Sequence, residues 1–178
     1  MKRRILILLI LVIASVRFTS AQDSPYYEIM LNLGDIENRV FRNTLYLKYA
    51  PKNLQGAFFV NFYYELYLRS QEVTLCSFCP YPASLNVGYE QNFRLTDKFD
   101  FVFAGELGGR YVRYYYRDKP SEYSYNLGWH AGVAYRINDH AKAYFLFQRR
   151  YYFRLDLHKR EFYAQPTIGL SWIIPRKK

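Results

Sequence analysis

Tyr125, Leu127, Trp129, Ala131, Val133, Tyr135 and Ile137 occupy every second position of one run, and Ser124, Asn126, Gly128, His130, Gly132, Ala134 and Arg136 fill the positions between them. Successive side chains of a strand point to opposite faces, so this run is a strand with two chemically distinct sides. After the turn residues Asn138-Asp139-His140 the pattern returns, with Ala143, Phe145, Phe147, Tyr151 and Phe153 alternating with Tyr144, Leu146, Gln148, Arg150 and Arg154. The two runs read as a β-hairpin. A polar face open to water favours Thr, Lys and Glu. The polar face here carries Gly128, Gly132 and Ala134 instead, small residues that suit a cramped interior. The bulky side is then the outside, and an outside of Leu, Val, Phe and Tyr is stable only against hydrocarbon.

Such an inversion requires a closed sheet, and the rest of the chain supplies one. Eight segments alternate in this way: Tyr26–Leu33, Val40–Tyr49, Ala57–Arg69, Ser84–Leu95, Phe99–Tyr115, Tyr123–Ile137, Lys142–Leu155 and Phe162–Ile174. The connections "PKNLQG", "TDK" and "NDH" are short, whereas "GDIEN", "SQEVTLCSFCPYPA", "RDKPSE" and "DLHKRE" are longer or more charged. Outer-membrane barrels have an even strand number, short periplasmic turns and longer external loops. With eight strands and both termini periplasmic, every short turn falls on the inner side. Ten residues from Tyr125 to Tyr135, at roughly 3.3 Å each and tilted near 40°, span about 25 Å, the height of such a barrel's apolar band. Aromatic residues make up 20% of the chain, as strands and membrane interfaces favour. The fold class expected is all-β, a transmembrane up-and-down antiparallel barrel of eight strands.

The first residues read as a leader. Lys2, Arg3 and Arg4 precede the apolar stretch from Ile5 to Val16, and Thr19-Ser20-Ala21 offers small residues for cleavage. Residues 1–21 are expected to be a signal peptide and 22–178 the barrel domain. Beyond residue 21 no segment approaches the ~20 apolar residues of a spanning helix. The net charge of +10 includes Lys2, Arg3, Arg4 and Arg17, so +6 remains without the leader. Nucleic acid is not the expected partner of an exported chain whose aromatics follow a sheet pattern. Contact with anionic headgroups or lipopolysaccharide is the expected use of its surface cations. Arg113 and Arg149, outward near the external ends of two strands, are placed for it.

On these grounds, and on short motifs such as "GVAYRINDH", the chain resembles the small eight-stranded OmpA/OmpX-type barrels of Gram-negative outer membranes. The resemblance covers essentially all of residues 22–178. In the last strand Thr167, Gly169, Trp172 and Ile174 fit a polar-x-Gly-x-x-aromatic-x-hydrophobic pattern. It resembles the C-terminal signal read by the barrel assembly machinery, which would then be a partner during insertion. Pro166 sits in the apolar register, which suggests a strand start or a bulge.

Carried through the other strands, the alternation points Glu28, Glu65, Glu90 and Glu106 inward, together with Arg42, Lys48, Arg94, Arg110, Arg136 and Arg150. Eight strands leave room only for side chains, and charges of both signs at close quarters pair. A salt-bridged plug is expected, with a narrow ion pathway as the alternative. His130 shares that face and is expected to be a hydrogen-bonded structural histidine. Ser121, Glu122, Asp156 and His158 lie at the external rim but form no recognisable catalytic group, and no cofactor or metal site is expected. Cys76 and Cys79, in the longest external loop, are expected to form a disulfide in an oxidising compartment, free thiols being the alternative. The function expected is that of a non-enzymatic outer-membrane protein with a structural or interaction role, possible subunit of a larger outer-membrane complex with other membrane proteins as partners. A narrow channel, a rim-located lipid-modifying enzyme and a soluble lipocalin-like barrel are the rivals.

Overall fold

The computed structural model describes residues 24–37, 40–52, 54–67, 81–113, 121–154 and 160–175. Eight antiparallel strands follow one another around a closed barrel. They are β1 (Tyr26–Glu37), β2 (Val40–Ala50), β3 (Gly56–Tyr67), β4 (Tyr81–Arg94), β5 (Phe99–Arg113), β6 (Glu122–Asn138), β7 (Ala141–Arg154) and β8 (Arg160–Pro175). β8 closes on β1 from Tyr26↔Pro175 to Gly34↔Thr167. The expected signal peptide, Cys76, Cys79, Asp156 and His158 lie outside the described residues, as do the side chains of Glu65, Arg113 and Arg154.

The register fixes the shape. Paired residues lead from Tyr27 through Tyr49, Phe58, Tyr89, Gly105, Trp129 and Arg149 to Ala164 on β8, yet Tyr27 itself pairs with Ile174. The circuit therefore closes ten residues out of step. Ten rises of ~3.3 Å, shared over eight strand spacings of ~4.8 Å, tilt the strands by about 40°.

Local chemistry closes the short turns. Between β4 and β5 the Thr96 hydroxyl accepts hydrogen bonds from the backbone N–H of Lys98 and Phe99, at 3.3 and 3.1 Å. Between β6 and β7 the Asn138 side chain accepts from the His140 N–H at 2.8 Å, an Asx turn. The stretch "GDIEN" departs from expectation. It continues β1 as far as Glu37, with Ile36 paired to Phe41 and Glu37 to Val40. The register shifts between Leu33 and Ile36, so a bulge absorbs the extra backbone and the hairpin runs on past Gly34. Pro166 is neither a strand start nor itself a bulge. It pairs with Phe147 within β8, one residue past the last β1–β8 pair, so its missing N–H falls where the β1 ladder has ended.

Side chains divide as a lipid-facing barrel requires. Phe145 is 61% exposed and Leu146, the next residue, 0%. Leu31, Leu47, Val60, Val87, Leu107, Leu127, Ile168 and Leu170 all face outward in the same way. Rings gather toward the short-turn end, where Tyr27 and Tyr49 lie 5.2 Å apart between centroids, Phe58 and Tyr89 5.1 Å, and Phe99 and Tyr135 5.1 Å. Trp172 stacks with His140 at 6.5 Å. Tyr111 and Tyr123, 4.9 Å apart, stand toward the loop end. Two aromatic zones flanking an aliphatic band are what a bilayer selects. Gly132 is confined by its neighbours: a Cβ there would run into the Phe145 carbonyl and lie 2.8 Å from Leu146 Cα.

Candidate functional site

The barrel interior holds two ionic clusters. In the first, Lys48 Nζ donates to both Glu90 oxygens at 2.8 Å and lies 3.8 Å from Glu28. Glu28 also accepts from the Tyr144 hydroxyl at 2.5 Å and has Lys142 at 3.6 Å. His130 Nε2 stands 3.2 Å from Glu90 Oε2. Lys48 Nζ further sits 4.4 Å from the centroid of the Tyr144 ring, a cation–π contact. Four strands, β1, β2, β4 and β7, thus converge on one chain of alternating charges.

The second cluster centres on Glu106. Its carboxylate accepts from Arg150 Nε, from Arg150 Nη2 at 3.4 Å and from Asn61 Nδ2 at 2.5 Å. Asn86 extends it by donating to Asn61 Oδ1 at 2.7 Å. Arg150 is 1% exposed and packs its guanidinium 4.8 Å from the Tyr63 ring centroid. Gly128 is small for a visible reason, since a Cβ there would sit 2.7 Å from Glu106 Oε1 and 3.0 Å from Arg150 Cγ. Shielded from water, these pairs survive because each charge has an opposite partner together with further hydrogen bonds.

An apolar band fills much of the remaining interior: Met30, Tyr46, Phe59, Val102, Ala104, Ala134, Tyr144 and Leu146. Tyr46 and Phe59 pack against the His130 ring at 5.7 and 5.8 Å, and the Tyr46 hydroxyl accepts from Gln148 at 2.7 Å. Tyr144 and Leu146 take the inward places that the alternation gives them, and Met30, Tyr46, Phe59 and Val102 add a bulky layer beside the ions. The signal was there, for Met30, Val102 and Leu146 share the parity of Glu28, Glu106 and Arg150. Lys142 and Asp100 share it too and were passed over.

The other inward candidates lie apart from these clusters. Arg136 pairs with Asp100 at 3.6 Å near the short-turn end. Arg94 is half-buried on β4. Arg110 lies 4.4 Å from the Tyr152 ring centroid toward the loop end. Arg42 stands opposite Glu65 in the β2–β3 register. In β8, Thr167 and Gly169 face inward, while Trp172 and Ile174 lie on the outer wall. At the rim, the Tyr111 hydroxyl donates to Ser121 at 3.0 Å. Among the described residues no group of three His, Cys, Asp or Glu side chains could hold a metal ion.

No protein-family model and no curated protein sequence matches the chain. Solved structures do. The crystal structure of neisserial surface protein A superposes with a TM-score of 0.63 at 11% identity, covering 85% of this chain and 97% of that one. The N-terminal barrel of Pseudomonas aeruginosa OprF gives 0.49 at 12% identity, over 86% and 99%. Ail, the attachment invasion locus protein of Yersinia pestis, gives 0.47 at 12% identity, over 87% and 97%. At such identities the likeness is one of fold. Strand number, closed up-and-down topology and a wall built for hydrocarbon give the chain the fold of a small eight-stranded outer-membrane β-barrel.

Proposed function

We propose that the protein is a non-enzymatic, non-conducting outer-membrane barrel whose work is structural or interactive. It would act through its external loops and its lipid-facing wall, alone or as a subunit of a larger membrane assembly. The observation that carries this reading is the packing of the lumen. The Lys48–Glu90–Glu28 and Arg150–Glu106 clusters lie among Met30, Tyr46, Phe59 and Leu146, across the axis of a barrel only wide enough for side chains. An ion crossing it would have to displace buried ion pairs and pass a layer of bulky side chains. Insertion would depend on the barrel assembly machinery reading Gly169, Trp172 and Ile174. Cys76 and Cys79 would tie the longest external loop, and lipopolysaccharide would be the natural contact of the outer wall.

In planar bilayers the purified full chain is expected to show no reproducible open steps at moderate voltages. Regular single-channel openings abolished by filling the lumen, for instance with Ala104→Leu, would overturn the plugged reading in favour of a narrow channel. Purification from the native membrane in mild detergent should recover any stable protein partner with it.

A further inference from the structure

We infer that the external end of the β1–β8 seam is a docking edge for an extended segment of a partner protein, which lengthens the sheet by one strand; this rests on the reading above of a plugged membrane barrel with an interaction role. The ladder that closes the barrel runs from Tyr26↔Pro175 to Gly34↔Thr167 and stops there. β8 does not stop. From Pro166 to Arg160 it goes on pairing with β7, from Phe147 to Phe153. β1 also goes on, but past the register shift between Leu33 and Ile36 it pairs with β2 alone, as far as Glu37↔Val40. The bulge thus ends one ladder and spares the other. Among the described residues, seven of β8, Arg160–Pro166, are left paired on one side only. The β3–β4 ladder also ends early, at Tyr64↔Ala83, but only Pro82 and Tyr81 of β4 run past it.

The groups on the open side follow from one bond. The Ile173 N–H donates to the His140 carbonyl at 2.7 Å, toward β7. Both main-chain groups of a residue in an antiparallel strand point the same way, and the direction alternates along the strand. Odd-numbered residues of β8 therefore bond β7, and even-numbered ones face β1. Arg160, Phe162 and Ala164 turn an N–H and a C=O to the open side, and Pro166 a C=O only. The proline withholds a donor at the innermost place. From Trp172, in the short-turn aromatic zone, β8 climbs eight residues to Ala164 and twelve to Arg160. On strands tilted near 40° these are heights of about 20 and 30 Å, so the row starts just inside the outer edge of the ~25 Å apolar band and ends above it. Hydrocarbon offers such groups no partner, and a bare row of them is a template for another strand. The Gln165 amide is buried and would lie 2.7–2.8 Å from a Cβ at Gly34, which closes the lumen side, so the edge is reached from outside. Ala164 is outward, exposed and small, and leaves room beside it for a large apolar side chain on the incoming strand. Regularly spaced N–H and C=O groups select extended backbone over lipid or sugar. A second copy is excluded by symmetry. Two copies spanning the membrane in one orientation are related by an axis along the membrane normal, which sets identical β8 groups face to face, donor against donor.

The test follows amide exchange by NMR in the full chain folded into lipid nanodiscs, with and without a synthetic peptide of about seven residues in which threonine and valine alternate. Without peptide, the Phe162 and Ala164 amides are expected to exchange at least about tenfold faster than those of Tyr163 and Gln165, which bond β7. The peptide should slow the first pair about tenfold and leave the second unchanged. A fully N-methylated copy of the peptide has no donors for the ladder and should protect nothing. Ala164→Pro removes a donor on the open side only, so Tyr163 and Gln165 should stay protected while the peptide's effect on Phe162 falls about tenfold. Phe162 and Ala164 amides as slow as their neighbours in the protein alone would overturn the open edge. Exchange untouched by the peptide would overturn the docking, as would equal protection by the methylated copy. Protection that grows with protein concentration alone would give the edge to a second copy and overturn the proposal too. Regular openings in planar bilayers would instead sink the plugged reading and leave these exchange rates as they are, so the two failures are told apart.

Discussion

Replacing Glu106 with alanine is expected to destabilise the folded barrel by about 3–5 kcal/mol. The carboxylate is the shared acceptor of Arg150 and Asn61. Without it a guanidinium that is 1% exposed keeps its desolvation cost and loses its counter-charge. The double variant Glu106→Ala/Arg150→Met should recover most of the loss. Removing both partners leaves no orphaned charge, and the methionine stem fills part of the space. Urea unfolding of the chain in vesicles, followed by tryptophan fluorescence, measures both. A single variant within about 0.5 kcal/mol of wild type would mean that the pair is solvated and the lumen open.

The second large effect is expected on the opposite face. Ile168 is 64% exposed, stands between Leu33 and Phe145, and lies seven residues from the strand end at Pro175, near the middle of the apolar band. Ile168→Arg should cost about 2–4 kcal/mol in the same assay. On a water-soluble barrel the same substitution at so exposed a site would fall within about 0.5 kcal/mol of neutral. The contrast is informative because Arg150 is tolerated within the same wall one strand away. Direction of the side chain decides the sign, and hydropathy does not.

Much of this was legible in the sequence for one reason: a strand's side chains alternate, so one unusual face betrays the other. Gly128, Gly132 and Ala134 beside Trp129 and Val133 were enough to turn the barrel inside out, and the same parity placed Glu28, Lys48, Glu90, Glu106 and Arg150 on the inner face. Parity says nothing about height along the strand or about which strands lie across the lumen. Those depend on the ten-residue stagger, a property of the closed sheet. Hence it was not visible that Lys48 would reach Glu90, or that Asn61 and Asn86 would complete the Glu106 site. The β1–β2 hairpin was misjudged because Gly34-Asp35 carries turn chemistry, whereas the chain spends it on a bulge and keeps pairing to Glu37.

Photolabelling by a carbene reagent dissolved in the hydrocarbon phase of vesicles, with the sites of attachment read by peptide sequencing, tests the orientation of the wall without altering a residue. On β7, label is expected at Phe145, Phe147 and Phe153 and absent from Tyr144, Leu146 and Tyr152. Label on the second set, or equal labelling of both, would contradict a barrel that turns its rings to lipid and its charges inward.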